Sequence, residues 1–190
     1  MKVLIVGEGA SELDGALKAL VTRLASSDLD IHQDKVSRGG IHVHHGKGDG
    51  YFKRAVRWML EAKKRGYDAL VLVIDQDGHK ERAKQFTDAQ EYTGTTIRRA
   101  LGVAIRTFDA WMLADATTLT RVLKFPINRQ SDPETIRNAK EAFNSLHDRM
   151  RAQRNPAEIY SEIAHLIDLN KLEARCPMGF GPFAARVRAL

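Results

Sequence analysis

The sequence predicts an α/β fold with a mostly parallel, Rossmann-like sheet, helices on both faces of the sheet, and a C-terminal helical part. Three observations lead to this prediction. Short apolar runs rich in β-branched residues are bounded by glycine or charged residues, which is typical of strands buried on both faces. Segments with apolar residues at three- and four-residue spacing lie between these runs. Strands and helices therefore alternate, which favours parallel strands joined by right-handed crossover helices.

The first part of the chain supplies the strands of the predicted sheet. A strand over residues 2–6 is followed by a helix over 10–26, in which Leu13, Leu17 and Leu24 share one face. The segment 29–45 suggests one or two strands around a turn at Gly39-Gly40. The next predicted elements are a helix over 49–65, a strand over 69–74, a helix over 80–91 and a strand over 101–107.

After Phe108 the pattern becomes helical. Helices are predicted over 109–124, 132–153 and 156–167, with a short final helix over 183–190. Trp111 and Leu113 are expected in the core. The expected organisation is an α/β core over residues 1–108 and a helical extension over 109–190, packed together as one compact unit.

Composition restricts the class of protein. Lys and Arg number 30 against 24 Asp and Glu, and the net charge is +6. Cys176 is the only cysteine, so an intrachain disulfide is impossible, and we expect a buried packing residue rather than a reactive thiol. No apolar run approaches the length of about 18 residues that a membrane span needs, so no membrane association is expected. The N-terminus enters a strand without a signal-peptide pattern, which favours a cytoplasmic location.

Carboxylates follow two of the predicted strands. Glu8 stands between two glycines directly after the first strand, and Asp75 and Asp77 follow the strand over 69–74. The carboxyl ends of parallel strands meet at one edge of the sheet, and open α/β sheets bind their ligands there. Carboxylates brought together are costly unless a cation neutralises them. The sequence therefore predicts a divalent-metal site formed by Glu8, Asp75 and Asp77.

Further residues are predicted around this site. Asp109 directly follows the strand over 101–107, so we expect it to face the same edge as a metal ligand. Asp115 is expected at the surface, two turns along the next helix. Arg82 and Lys84 lie just past the acidic loop and are the favoured phosphate ligands. A mildly basic chain with an acidic cluster suits a metal-dependent nuclease, because cations bind phosphates while carboxylates bind the metal.

Two other kinds of site fit parts of the sequence. Gly7 and Gly9 resemble the start of a dinucleotide-binding loop, but Glu12 occupies the third glycine position and would repel a pyrophosphate. His42 and His44 alternate along a possible strand. His45 and Asp49 stand near them, so a histidine zinc hydrolase is the runner-up.

The motifs together resemble a known domain. Gly7-Glu8-Gly9 after the first strand and Asp75-x-Asp77 after a later one resemble the TOPRIM domain of topoisomerases, primases and OLD-family nucleases. More specifically, the chain resembles a bacterial family of small stand-alone TOPRIM-like proteins of unassigned function. That family has a Phe-acidic-Ala-Trp-x-Leu-Ala-Asp stretch, matched by residues 108–115, and a Cys-Pro-x-Phe-like segment, matched by residues 176–183. The family usually has Glu where Asp109 stands here.

The resemblance implies Mg²⁺- or Mn²⁺-dependent hydrolysis of phosphodiester bonds in nucleic acid. Asp75 and Asp77 would hold the metal, Glu8 would be a ligand or the general acid/base, and Asp109 would complete the metal shell. Relatives are often encoded beside SMC/ABC-type ATPases, which implies such a partner and a role in DNA repair or in defence against foreign DNA. The alternative is a non-catalytic subunit that binds an ATPase partner or nucleic acid.

Overall fold

Among the residues that the structure describes, the sheet has four strands, all parallel, in the order β2-β1-β3-β4. The computed structural model describes residues 1–9, 11–26, 28–36, 50–129, 132–150 and 154–190. The strands are β1 Lys2–Gly7, β2 Asp30–Lys35, β3 Ala69–Asp75 and β4 Arg98–Ala104. The predicted α/β class with a parallel sheet is confirmed. The predicted turn at Gly39-Gly40 and the histidines at 42, 44 and 45 lie outside the described residues.

Helices connect and follow the strands. The segment predicted as one helix over 10–26 begins as a π-helix, Ser11–Leu17, and continues as α1 Lys18–Leu24. The other α-helices are α2 Gly50–Lys64, α3 Lys80–Gln90, α4 Asp109–Met112, α5 Ala116–Leu123, α6 Ala139–Asp148, α7 Pro156–Leu166, α8 Leu169–Arg175 and α9 Phe180–Arg188. A 3₁₀ turn at Pro133–Thr135 precedes α6. In the part of the chain that is described, no helix is long and apolar enough to cross a membrane.

Helices cover both faces of the sheet, as predicted. On one face, α2 and α3 pack Trp58 and Phe86 against alternate strand residues such as Leu72. On the other face, α1 and the helices after β4 form a larger core with the remaining strand residues. Trp111 is fully buried there, as expected, and so is Cys176. Burial raises the pKa of the Cys176 thiol, so this residue packs and does not ionise.

The helix predicted over 109–124 is broken in the structure. Helix α4 ends at Met112, and Asp115 caps the start of α5. Its carboxylate accepts hydrogen bonds from the Thr117 N–H at 3.1 Å and the Thr118 hydroxyl at 2.7 Å. Asp115 is only 5% exposed, so the expectation of a surface residue was wrong. Its side chain satisfies backbone groups that the new helix leaves unpaired, which holds it inside the fold.

The outer edge of β4 is covered by side chains from two helices. The Gln90 amide on α3 donates to the Arg99 carbonyl at 3.0 Å and accepts from the Leu101 N–H at 2.9 Å. Arg186 on α9 donates to the Leu101 carbonyl at 2.6 Å. These bonds satisfy backbone groups that an edge strand would otherwise expose. The Arg186 bond also holds α9 against the middle of β4.

Candidate functional site

The candidate site lies at the carboxyl ends of β1 and β3. In this strand order the chain leaves β1 for β2 on one side, while β3 and β4 lie on the other side. Sheets with such a switch in direction bind ligands in the crevice between the two central strands. Glu8 follows β1, and Asp75 is the last residue of β3. The Asp75 N–H donates to Glu8 Oε2 at 3.1 Å, so the structure brings these two predicted residues together.

Glu12 also belongs to this group of carboxylates, in a role that the sequence analysis missed. It lies in the first turn of the π-helix, and its Oε2 accepts the Gly9 N–H at 3.2 Å. The pKa of Glu12 is raised to about 7, mainly by burial and to a smaller extent by the charges of Glu8 and Asp109. The available signal was the spacing Glu8-x-x-x-Glu12 at the start of a helix. A π-helical segment at this point is itself typical of functional sites.

Asp75 is the central carboxylate of the group. It is partly buried, and its Oδ1 accepts the Phe108 N–H at 2.7 Å. Burial raises the pKa of Asp75 to about 8, with further contributions from the charges of Glu12, Glu8 and Asp77. The hydrogen bond from Phe108 opposes this rise but does not cancel it. Asp75 is therefore protonated near neutral pH unless a positive charge comes close.

Asp109 completes the group from the start of α4. It is 8% exposed, and its Oδ1 accepts a hydrogen bond from the Tyr160 hydroxyl on α7. Tyr160 is held by a stacked contact with the Phe108 ring and an edge contact with Phe143. Burial and the neighbouring Asp109 raise the pKa of Tyr160, so its hydroxyl stays a hydrogen-bond donor. No sequence motif marked Tyr160, because its partner is 51 residues away.

Gly15 allows α7 to approach the π-helix closely enough for this contact. A Cβ atom at Gly15 would lie 2.6 Å from the Ala157 carbonyl oxygen and 2.8 Å from Tyr160 Cβ. Both distances are shorter than van der Waals contact, so only glycine fits. The close packing places Tyr160 beside the carboxylates.

Asp77 lies at the rim of the site, on the loop after β3. Its carboxylate is paired with Arg82 at 2.6 Å, and the same guanidinium donates to the Asp75 carbonyl at 2.6 Å. Arg82 is 9% exposed and lies over the Tyr51 ring. The Asp77 N–H donates to the Arg106 carbonyl, and both of these residues have positive φ, 48° and 67°. Strained backbone of this kind concentrates at functional sites.

The two predicted phosphate ligands occupy different environments. Arg82 is buried beside the acidic loop and supports its shape. The Lys84 side chain is 78% exposed and pairs with Asp88 one turn further along α3, at 2.7 Å. Arg82 is therefore the one whose guanidinium touches the acidic loop directly.

The donor atoms of the group are those that a hard divalent cation prefers. Glu8, Glu12, Asp75 and Asp109 offer carboxylate oxygens, the usual ligands of Mg²⁺ and Mn²⁺. The hydroxyl of Thr107 is buried without a hydrogen-bond partner in the described structure, one residue before Phe108. Within the described ranges, however, no group of three or more Asp, Glu, His or Cys side chains is arranged to hold a metal ion. The residues fit such a cation chemically, and their side chains would have to turn from their present hydrogen bonds to surround it.

Comparison with known proteins identifies a family. The chain matches the family model described as "Domain of unknown function (DUF4276)" over residues 7–188, and it belongs to that family. No curated protein matches the chain, and no solved structure matches it either.

Proposed function

We propose that the protein is a divalent-metal-dependent nuclease that hydrolyses phosphodiester bonds in nucleic acid. The observation that carries this proposal is the pair of carboxylates Glu12 and Asp75, with pKa values raised to about 7 and about 8. They lie at the switch point of a parallel sheet, beside Glu8 and Asp109. Strongly shifted carboxylates in such a crevice are typical of functional sites.

Each residue of the site has a distinct task in this proposal. Glu8, Glu12, Asp75 and Asp109 would hold Mg²⁺ or Mn²⁺, with Asp77 joining at the rim. The chemistry that such an ion would supply is stabilisation of negative charge on the phosphate and a lower pKa for a water. Glu8 is a ligand or exchanges a proton as the general acid/base.

Two neighbouring residues position the carboxylates. Tyr160 donates a hydrogen bond to one oxygen of Asp109, and in this proposal the other oxygen is the metal ligand. Arg82 fixes the turn from Asp75 to Asp77, and its charge is available to a phosphate that displaces Asp77.

The charge distribution supports nucleic acid as the substrate. The net charge is +6, although the site itself is acidic. The exposed residues of α2 include Lys53, Arg57, Lys63 and Lys64. Helix α2 begins next to the site. The Tyr51 N–H donates a hydrogen bond to the Gln85 side chain on α3, and the Tyr51 ring lies against the Arg82 guanidinium. In this proposal the phosphate backbone contacts Lys53 and Arg57, in the first half of α2, while it reaches the carboxylates.

The resemblance to TOPRIM domains and OLD-family nucleases supports the same reaction. It also suggests a role in DNA repair or in defence against foreign DNA, with an SMC/ABC-type ATPase as a partner. The role in repair or defence and the ATPase partner are both parts of the proposal.

A cleavage assay tests the proposal. Supercoiled plasmid and single-stranded DNA are incubated with the protein and Mg²⁺ or Mn²⁺, and in parallel with EDTA. We expect metal-dependent nicking that is lost in the double variant Glu8→Gln/Asp75→Ala and kept in Asp88→Ala, which alters an exposed carboxylate on α3. Cleavage that survives in the double variant contradicts the proposed site.

A non-catalytic subunit is the second candidate. The observation that favours it is the set of exposed cations on α2, because Lys and Arg bind phosphates without a metal ion. Isothermal titration with Mn²⁺ separates the candidates. Binding that disappears in Asp75→Ala supports the enzyme. Absence of Mn²⁺ binding, combined with binding of DNA in EDTA or of the ATPase partner, supports the subunit.

A further inference from the structure

A cavity in the helical part has the features of a second binding site. It lies between the end of α5 and the described residues Arg149, Met150 and Arg154, and its volume is about 710 Å³. Pockets of about 300–1,000 Å³ are typical of small-molecule sites. It shares no residue with the carboxylate group. The residues that matter here are Leu123, Lys124, Phe125, Arg149, Met150 and Arg154.

The cavity offers a flat surface for a ring. The guanidinium of Arg149 lies over the Phe125 ring, with 4.7 Å between its carbon and the ring centroid. Leu123 and Met150 are buried beside it and supply apolar walls. Guanidinium planes and aromatic rings are the surfaces on which nucleobases stack.

The charges that line the cavity are positive. Lys124, Arg149 and Arg154 contribute three cations, and no acidic residue is among the described residues that line it. Arg154 is paired with Glu162 at 2.8 Å. No ion pair engages Lys124 or Arg149 within the described part of the chain. Two uncompensated cations beside a third suit a phosphate dianion.

Lys124 is held in an unfavourable backbone conformation at this place. It ends α5 with φ 63° and ψ 28°, the left-handed conformation in which glycine is usual. A lysine there gives up backbone stability and places a cation at the cavity. Exchange of this lysine for glycine therefore removes the charge without disturbing the helix end.

We propose that this cavity binds a nucleoside phosphate, with the base against Arg149 and Phe125 and the phosphate on Lys124, supported by the uncompensated charge of Arg149. The ligand is either a free nucleotide or the phosphorylated end of a nucleic-acid strand, which present the same chemistry. The site is independent of the proposed metal centre and does not require it.

Binding is measured by titration calorimetry in EDTA, with AMP, adenosine and inorganic phosphate as probes. We expect AMP to bind at least tenfold more tightly than either adenosine or phosphate, because only AMP uses both halves of the cavity. Lys124→Gly and Arg149→Ala are each expected to weaken AMP binding about tenfold or more. Lys140→Ala, an exposed lysine on α6, is the control for net charge and should bind AMP normally.

Two further variants separate binding from folding and base from phosphate. Lys124→Gly should melt at the same temperature as the wild type or higher, because glycine suits this backbone. Arg149→Lys keeps the charge but loses the plane, so it should weaken AMP binding and leave phosphate binding unchanged. A 5′-phosphorylated oligonucleotide that binds more tightly than AMP and than its 5′-hydroxyl counterpart identifies a strand end, whereas the reverse order identifies a free nucleotide.

The proposal is overturned if AMP does not bind at millimolar concentration, or if binding is unchanged in both Lys124→Gly and Arg149→Ala. If phosphate binds as tightly as AMP, the base adds nothing to the affinity, and the proposed contact of the base with Arg149 and Phe125 is wrong. The Glu8→Gln/Asp75→Ala variant should bind AMP as the wild type does, so failure of the nuclease proposal leaves this result unaffected.

Discussion

Replacement of Asp75 by Asn should make the metal-free protein more stable at alkaline pH. The pKa of Asp75 is raised from 3.8 to about 8, mainly by burial. Between these two values the folded protein holds a proton that the unfolded chain has released. The stability that this pKa shift contributes is therefore fully present below about pH 4 and is lost as the pH rises through about 8. An amide in the same place has no proton to lose.

The size of the effect follows from the pKa shift. At about 1.4 kcal/mol for each pKa unit, Asp75 alone lowers the free energy of unfolding by about 4 kcal/mol between pH 5 and pH 8. Glu12 titrates in the same range and the two carboxylates interact, so their contributions do not simply add. A loss of this size is a large part of the stability of a typical domain, which is about 5–15 kcal/mol.

Urea unfolding in EDTA at pH 5, 6, 7 and 8 measures the effect. The wild type should lose stability steadily across the series, while Asp75→Asn should lose much less and retain only the slope that Glu12 contributes. Asp88→Asn makes the same chemical change on the exposed surface of α3 and should follow the wild type. Mn²⁺ at about 100 times its dissociation constant should add about 2.7 kcal/mol to the wild type at pH 8 and much less to Asp75→Asn.

A wild-type stability that does not fall between pH 5 and pH 8 would refute this reasoning. So would equal slopes in the wild type and in Asp75→Asn. Either result would mean that Asp75 ionises normally in the fold and that burial does not control its charge.

Three other predictions concern the packing around the site. Tyr160→Phe leaves the buried Asp109 carboxylate without its hydrogen bond. We expect this substitution to lower the free energy of unfolding by about 1–3 kcal/mol, measured by urea unfolding, and to weaken Mn²⁺ binding, measured by calorimetry. Gly15→Ala should lower the free energy of unfolding by about 1–3 kcal/mol, because the new Cβ would clash with α7. Gly181→Ala is the control and should raise the free energy of unfolding by about 0.5–1 kcal/mol, because the nearest atom outside its own helix backbone and chain neighbours lies 3.9 Å from the new Cβ. A higher melting temperature for Gly15→Ala contradicts the packing. Glu134→Ala removes the carboxylate that accepts two backbone N–H groups at the start of α9. Those amides should exchange faster with deuterium, and the free energy of unfolding should fall by about 1–3 kcal/mol. Unchanged exchange would show that this carboxylate does not cap the helix.

The parts of the fold that depend on local pattern could be predicted. The apolar run that forms β3 predicts a buried strand, and the alternation of strands with helices predicts that neighbouring strands are parallel. Because parallel strands end at one edge, the proximity of Glu8 and Asp75 followed from the sequence and is seen in their hydrogen bond.

Predictions failed where a local pattern has more than one solution. Apolar residues at three- and four-residue spacing predicted a helix over 10–26 but did not distinguish its π-helical start, Ser11–Leu17, from an ordinary α-helix. The same spacing concealed the break before α5, which depends on the capping of its backbone by Asp115.

The sequence by itself determined the class of the sheet and which strand ends carry acids, because strand burial and chain direction are encoded within short segments. Only the tertiary structure decided which carboxylates share an environment. Glu12 acquires its raised pKa from burial and from charges on other elements, and Asp109 acquires its partner from a helix 51 residues further along. Solvation and charge at a point in space depend on every element that packs there, and that sum is set by the packing of the helices on the sheet.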